Sequence, residues 1–311
     1  MLTGRYSQAM RVRQDLLGSG LVLAAAVLWG TTGTARALAP AGTSPLSVGA
    51  VRIVIGASAL LPAAGLRGGL RWGGRSPRGP VMAGMVAVAG YQLAFFSAVA
   101  RTGVAVGTMV AIGSAPVLAG LLAWLVRGER PPGRWYAATM LAMTGCGLLA
   151  VAGQQVRFSP EGVMLAVVAG TAYAVYAVAA KELLAVHGRV QVMAILFGGG
   201  ALLLVPVAAL HPLGWVATLR GGLVALHLGL VATAGAYVLF AAGLHRVSVA
   251  RAATVSLAEP LTAAILGVAL LGERLTTAGL AGAAVLLAGL AVLAAPSRTA
   301  ATLPPSPGRR R

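Results

Sequence analysis

The chain has 311 residues, of which 58% are hydrophobic and 10% are charged, and its formal net charge is +18. A soluble domain of this composition would lack the polar residues needed to cover its surface, so an ordinary soluble protein is excluded. The positive charge does not indicate nucleic-acid binding, because the arginines separate apolar segments instead of forming a basic face with interleaved aromatic residues. The composition predicts an all-α protein that crosses a membrane several times.

Ten apolar segments follow one another along the chain. About 20 mainly apolar residues in a helix span the ~30 Å hydrocarbon core of a bilayer. The predicted segments are 17 to 38, 46 to 66, 80 to 100, 104 to 126, 135 to 153, 161 to 181, 190 to 210, 221 to 243, 248 to 271 and 277 to 295. The first resembles a signal peptide, but it is long enough to span the membrane and is expected to stay as the first helix.

The positions of Lys and Arg predict the orientation, because cytoplasmic loops retain positive charge. An N-terminus inside the cell leaves only Arg101, Arg157, Arg220 and Arg274 on the outer side, with Arg36 and Arg52 inside segments. The cytoplasmic side then receives Arg5, Arg11, Arg13, Arg67, Arg71, Arg75, Arg78, Arg127, Arg130, Arg134, Lys181, Arg189, Arg246, Arg251, Arg298, Arg309, Arg310 and Arg311. We therefore predict a multi-pass protein of the cell (inner or plasma) membrane with both termini in the cytoplasm.

One spacing recurs without a gap, which indicates an internal repeat. Four features of the first half recur 144 residues later: Trp29-Gly30 as Tyr173-Ala174, Phe96 as Phe240, Pro116 as Pro260, and Gly128-Glu129-Arg130 as Gly272-Glu273-Arg274. The predicted units are a cytoplasmic segment 1 to 16, a first five-helix repeat 17 to 153, a second repeat 161 to 295, and a disordered basic tail 296 to 311.

An odd number of helices per repeat makes the second copy enter the membrane from the opposite side. Two inverted repeats are typical of secondary transporters, in which the substrate site lies between the halves near the membrane midplane. The repeat therefore predicts transport without reference to any family.

The motifs and their order also resemble a known family. Trp29-Gly30 lies in the first segment, Arg52 early in the second, Pro116 and Pro260 in the fourth and ninth, and a Gly-Glu pair closes each of the latter two. Over nearly the whole chain this pattern resembles the EamA-type branch of the drug/metabolite transporter superfamily. The resemblance implies a ten-helix bundle of two inverted EamA domains that moves small organic metabolites, often outward, across the cell membrane. Tyr173 departs from the family's usual tryptophan at that position.

Glu259 is the sharpest candidate for the transport pathway. A carboxylate at membrane depth is costly, so it is expected to face the bundle interior or a cavity and to be paired or protonated. Two interpretations stay open: a site for a proton or a substrate amine, and a structural carboxylate bonded to a neighbouring helix. The equivalent residue of the first repeat is Ala115.

Pro116 and Pro260 are the next candidates. Each lacks a backbone N–H, so the carbonyls of Ile112 and Ser256 are expected to lose their helical partners. Freed carbonyls are tolerated at membrane depth only where protein or cavity water satisfies them. The duplication of the prolines favours a role in the pathway over a packing kink.

The remaining candidates are polar or charged groups within or between the segments. The further pathway candidates are Trp29, Tyr91, Gln92, Tyr173, Tyr176 and Tyr237. Single Trp and Tyr residues in membrane helices more often serve as interfacial belt or packing, whereas an amide such as Gln92 needs a partner in hydrocarbon. Arg52 is close enough to its helix end to snorkel, and a structural role is expected. Structural or gating contacts at the interface are expected for Glu129, Arg130, Glu273 and Arg274.

The sequence contains no pattern for a cofactor or a reaction centre. The histidines have no metal-ligand spacing, no GxxxxGK[ST] motif binds ATP, and no catalytic constellation is recognisable, so neither catalytic residues nor cofactors are expected. The first hypothesis is a secondary transporter that exports an amino-acid-like or amphiphilic solute, with proton coupling left open. The alternative is a membrane-embedded enzyme or lipid-processing protein. The expected partners are the solute and membrane lipids, not nucleic acid, and a homodimer is left open.

Overall fold

A computed structural model describes residues 2–66, 77–151 and 159–295, and within these ranges the chain is helical without a β-strand. The helices are α1 (Leu2–Ala37), α2 (Pro45–Leu66), α3 (Arg78–Gly103), α4 (Val106–Arg127), α5 (Gly133–Val151), α6 (Pro160–Leu183), α7 (Arg189–Ala209), α8 (Leu219–Leu244), α9 (Val249–Leu271) and α10 (Thr277–Ala294). The predicted tail 296 to 311 and the arginines at 67, 71, 75 and 157 lie outside the described residues.

The fold class is confirmed. In the described part of the chain, nine helices are long and apolar enough to cross a membrane. The predicted segment 135 to 153 corresponds to α5, a helix of 19 residues that falls outside this group of nine. The protein is thus a multi-pass helical membrane protein, and its described part contains these nine helices together with α5.

Two helix ends differ from the prediction. Helix α1 begins at Leu2, so the predicted N-terminal segment 1 to 16 is mostly a continuation of the first helix. No proline interrupts this stretch, and hydropathy marks only where a helix enters the membrane. Between α3 and α4 the expected loop is reduced to Gly103, whose φ of 80° and ψ of 165° only glycine adopts without strain.

Two of the helices are internally irregular. Helix α8 contains a π-helical stretch, His227–Gly235, whose backbone register differs from the flanking α-helical turns. Helix α9 consists of Val249–Val255 and Ala258–Leu271, with a turn at Ser256 and Leu257 between them. Both irregularities belong to the second repeat, and the equivalent stretches of α3 and α4 are regular helix.

The packing follows the repeat. Helix α1 packs against α8 and α9, and its equivalent α6 packs in the same way against α3 and α4. Helix α2 packs against its own equivalent α7, and α5 packs against α10. The bundle is therefore assembled by exchange between the two halves, and each half completes the other.

The two Gly-Glu motifs form equivalent helix ends. Gly128 and Gly272 have φ values of 67° and 68°, the left-handed conformation that ends a helix. The backbone N–H of Glu129 donates to the carbonyl of Ala123 at 3.3 Å, and that of Glu273 donates to Gly267 at 3.1 Å. The same left-handed glycine and the same backbone bond close the helix in both repeats, so the repeated Gly-Glu pairs have a structural reason.

Candidate functional site

A cavity lies between helices of both repeats. Its lining residues are Trp29, Thr32, Arg52, Tyr91, Ala111, Ile112, Ala115, Tyr173, Tyr237, Ala253, Ser256 and Glu259. Six of the predicted residues thus face one space: Trp29, Arg52, Tyr91, Tyr173, Tyr237 and Glu259. We call this space the central cavity.

Glu259 reaches the cavity from the first turn of the second part of α9. A carboxylate suits this position, because the N-terminus of a helix carries a partial positive charge. The backbone N–H of Glu259 donates to the carbonyl of Ser256 at 3.0 Å. The carbonyl that lacks its usual donor because of Pro260 is thus satisfied by the protein backbone, since the helix restarts at Ala258 and Pro260 occupies its first turn, where no N–H is required.

The Trp-Gly motif of α1 has a separate role for each residue. The buried Trp29 ring lines the cavity, and its centroid lies 4.8 Å from that of Tyr237 and 5.3 Å from that of Phe240. A methyl group on Gly30 would lie 2.8 Å from the carbonyl oxygen of Glu259. Glycine therefore allows α1 to approach the backbone of α9 directly beside the carboxylate.

Arg52 is buried, with 8% of its surface exposed. Its Nε donates to the hydroxyl of Thr233 at 3.1 Å, and a terminal nitrogen donates to the carbonyl of Ala232 at 3.4 Å. Both acceptors lie in the π-helical stretch of α8. Although Arg52 is close enough to its helix end to snorkel, the side chain turns inward, because α8 supplies buried acceptors for it, and the guanidinium lines the cavity.

Two polar atoms of the cavity wall have no hydrogen-bond partner among the described residues. They are the indole N–H of Trp29 and the hydroxyl oxygen of Thr32, and both are buried. Buried polar groups are rarely left unpaired, so these two indicate where a ligand or water binds. By contrast, the hydroxyl of Tyr173 lies 3.2 Å from that of Ser256 and joins α6 to α9.

A second pocket adjoins the central cavity and shares Tyr91, Tyr173 and Tyr237 with it. Gln92 and Tyr176 line this pocket. The hydroxyl of Tyr176 donates to the sulfur of Met193 at 3.2 Å, whereas Oε1 of Gln92 is buried without a partner in the described residues. The two residues thus lie beside the central cavity and not in its wall.

The other predicted residues lie away from the cavity. Pro116 is buried inside α4, where the backbone stays helical. Glu129 accepts from Nε of Arg127 at 2.8 Å and from the backbone N–H of Val249 at 3.3 Å, which holds the start of α9. Arg130 lies over the ring of Trp124, 5.8 Å from its centroid. Glu273 and Arg274 are exposed just beyond the end of α9.

Thr32 and Ser256 were missed by the sequence analysis. Each lies three residues from a predicted residue of the same helical region, Thr32 from Trp29 and Ser256 from Glu259, and residues at this spacing share a helix face. The two residues could therefore have been predicted from this spacing. No comparable signal indicated Thr233, since its contact with Arg52 joins residues 181 positions apart.

Comparison with known proteins identifies the family. The chain matches the EamA-like transporter family over residues 16–151 and again over 160–295. The chain belongs to this family. It is 43% identical over 280 residues to the "Uncharacterized transporter YwfM" of Bacillus subtilis (strain 168), covering 89% of this chain and 93% of that protein. The expected resemblance is thereby confirmed, and the protein is a transporter.

Two further similarities bear on fold and solute. A "Probable terminal-alkyne amino-acid exporter" of Streptantibioticus cattleyicolor is 29% identical over 184 residues, which cover 58% of this chain and 61% of the exporter. A solved crystal structure matches with a TM-score of 0.77 and 24% identity, covering 88% of this chain and 95% of that one. At that identity the match supports the fold alone.

Proposed function

We propose that this EamA transporter exports a zwitterionic, amino-acid-like solute that binds between Arg52 and Glu259. The observation that carries the proposal is that one guanidinium and one carboxylate line the same cavity. In the described part of the chain neither side chain forms an ion pair. A charge at membrane depth is costly unless it is paired, and a solute with both a carboxylate and an ammonium would pair both.

The rest of the cavity suits such a solute. The unpartnered indole N–H of Trp29 and hydroxyl of Thr32 are available to its polar atoms. The rings of Tyr91, Tyr173 and Tyr237 offer an apolar wall for its side chain.

The proposal also includes a direction, which is outward, and a coupling of transport to protons. The similarity to a protein named an amino-acid exporter supports outward movement. Arginine stays protonated in proteins, so Glu259 is the group in this pair that exchanges a proton. A carboxylate that binds the solute ammonium in one state and a proton in the other couples outward solute movement to inward proton movement.

Transport into and out of liposomes tests the proposal. The purified protein is reconstituted, and amino acids, nucleosides and cationic drugs are offered with and without a pH gradient. We expect amino acids to be transported, and to be transported faster when the pH gradient drives protons in the opposite direction. For one transported amino acid, the decarboxylated amine and the N-acetyl acid should be poor substrates, because each leaves one cavity charge unpaired.

Two substitutions should shift this selectivity in opposite directions. Arg52→Gln should reduce the preference for the amino acid over the amine, and Glu259→Gln should reduce its preference over the N-acetyl acid. Each loss should be about tenfold to a hundredfold in kcat/KM, from the ~1.5–3 kcal/mol of a hydrogen bond to a charged group. Glu259→Gln should also abolish the effect of the pH gradient.

Glu161→Gln is the matched control, because Glu161 also lies in the first turn of a helix but is exposed and paired with Arg101 at 3.1 Å. It should keep wild-type selectivity and pH dependence. If the amine and the N-acetyl acid are transported as well as the amino acid, the zwitterion site is wrong. Full pH-gradient dependence in Glu259→Gln would remove the proton role alone.

A further inference from the structure

Another cleft, distinct from the central cavity and from the pocket that adjoins it, lies where α6 and α8 end and α7 begins. Four of its lining residues have basic side chains: His187, Arg189, His245 and Arg246. No acidic residue lines it. The charges of Arg189 and Arg246, with no acidic residue beside them, favour an anionic ligand. We call this space the basic cleft.

Arg246 is held in place but not fully paired. One terminal nitrogen donates to the carbonyl of Ala242 in the preceding helical turn. Its Nε is buried and has no partner among the described residues. A buried guanidinium nitrogen without an acceptor is costly, so an anion entering the cleft would complete its hydrogen bonding.

The start of α7 adds to the positive potential. Gly188 precedes the helix, and no side chain caps its N-terminus. The helix is 21 residues long, so its N-terminal end carries a partial positive charge. Gly188 and Arg189 line the cleft, which places this end beside the arginines. Phosphate groups bind well at such helix ends when arginine is also present.

The position of the cleft points to a lipid as the source of the phosphate. Ala64, near the end of α2, and Leu184, which follows α6, line it, so it lies at the level where helices leave the membrane. Large apolar side chains nearby on the same helix ends are exposed: Leu66 at 90% and Val186 at 60%. Lipid chains cover such surfaces. The charge distribution also places this end in the cytoplasmic leaflet, which carries anionic lipid.

We propose that the basic cleft binds the phosphate headgroup of an anionic phospholipid from the cytoplasmic leaflet. Arg189 and Arg246 contact the phosphate, and the N-terminus of α7 orients it. The bound lipid links α2, α6, α7 and α8 at the membrane surface and stabilises their packing. This proposal is independent of which solute the central cavity carries.

Native mass spectrometry of the delipidated full-length protein in detergent tests the proposal. Phosphatidylglycerol, phosphatidylcholine and inorganic phosphate are titrated separately. We expect one phosphatidylglycerol to bind more tightly than phosphatidylcholine, and inorganic phosphate to bind much more weakly than the lipid. In Arg189→Gln/Arg246→Gln the affinity for phosphatidylglycerol should fall on the order of tenfold to thirtyfold, since each basic residue near a lipid surface contributes about a fivefold factor.

Arg78→Gln is the matched control, because Arg78 is exposed on the same predicted side and outside the cleft. It should bind phosphatidylglycerol as the wild type does. Equal binding of the two lipids by the wild type, or an unchanged affinity in the double variant, would overturn the proposal. Inorganic phosphate binding as tightly as the lipid would reassign the cleft to a soluble phosphate. If the double variant fails to fold, Arg189→Gln alone, at an exposed position, should still lower the affinity for phosphatidylglycerol, by a smaller factor. An unchanged affinity in this variant would overturn the proposal.

Discussion

Alanine at Gly145 should destabilise the protein, because α5 and α10 touch backbone to backbone at this position. A methyl group there would lie 2.6 Å from the carbonyl oxygen of Gly282 and 2.7 Å from Cα of Leu286. The backbone nitrogen of Leu286 would lie closer still, and ordinary contact begins at 3.4 Å, so the two helices would have to separate by about 1 Å. None of these atoms can move by rotating a side chain, since all belong to the backbone of α10.

The expected cost follows from two opposing terms. Overpacking a tight interface costs about 1–3 kcal/mol, and a contact with backbone belongs at the upper end of that range. Replacing glycine by alanine inside a helix recovers about 0.5–1 kcal/mol. The net loss should be about 2 kcal/mol, which lowers the unfolding midpoint in detergent on the order of 5 °C.

Gly147 of the same helix provides the control. A methyl group there meets only the side chain of Met109, at 3.5 Å from its sulfur, so Gly147→Ala should be neutral or slightly stabilising. Gly289 is the equivalent of Gly145 in the second repeat, and a methyl group there would lie 2.6 Å from the backbone nitrogen of Ala142. Gly289→Ala should therefore be as harmful as Gly145→Ala. Equal melting temperatures for the Gly145 and Gly147 variants would refute the close approach of α5 and α10.

Three other predictions concern contacts and topology. Thr254→Val should lower stability by about 0.5–1.5 kcal/mol in a detergent melt, because the buried indole N–H of Trp135 loses its bond to this hydroxyl at 2.9 Å and keeps only the one to the carbonyl of Ala250 at 3.1 Å. Lys181→Met should cost about 1.5–3 kcal/mol in the same assay, because the ammonium donates to three carbonyls of the turn between α8 and α9, at 2.6 to 3.2 Å. Accessibility tags after residue 130 and after residue 274 should report the cytoplasm and the outside respectively, as inverted repeats require.

Each of these predictions has a clear opposing result. Thr171 is exposed and bonds only within its own helix, so Thr171→Val should leave the melting temperature unchanged, and an equal loss in both threonine variants would remove the role of the Trp135 contact. Wild-type stability of Lys181→Met would mean that water satisfies the turn carbonyls equally well. Tags on the same side of the membrane would refute the inverted arrangement.

Most helix positions could be predicted from the sequence. The described spans after the first begin and end within about three residues of the predicted segments, because the thickness of the hydrocarbon core sets the length of an apolar run. The repeat was equally readable, since Pro and Gly-Glu-Arg recur at a fixed spacing. Glu259 was found because a carboxylate in an apolar run is rare for a physical reason: it is costly to bury.

The two prolines show where a local rule stops. The same residue at equivalent positions lies inside a continuous helix at Pro116 and in the first turn of a new one at Pro260. A proline constrains only its own backbone and the preceding turn, and the surrounding helices decide whether the chain bends or restarts. The sequence therefore identified both positions but not the difference between them.

The sequence by itself determined the membrane class, the two repeats and the carboxylate at membrane depth, because hydropathy, periodicity and charge are properties of neighbouring residues. Only the tertiary structure decided that Arg52 turns inward to the π-helical stretch of α8 and shares a cavity with Glu259. That arrangement depends on how closely helices from different repeats approach each other. Side-chain volumes and backbone geometry throughout the bundle determine this distance, and no local sequence pattern encodes it.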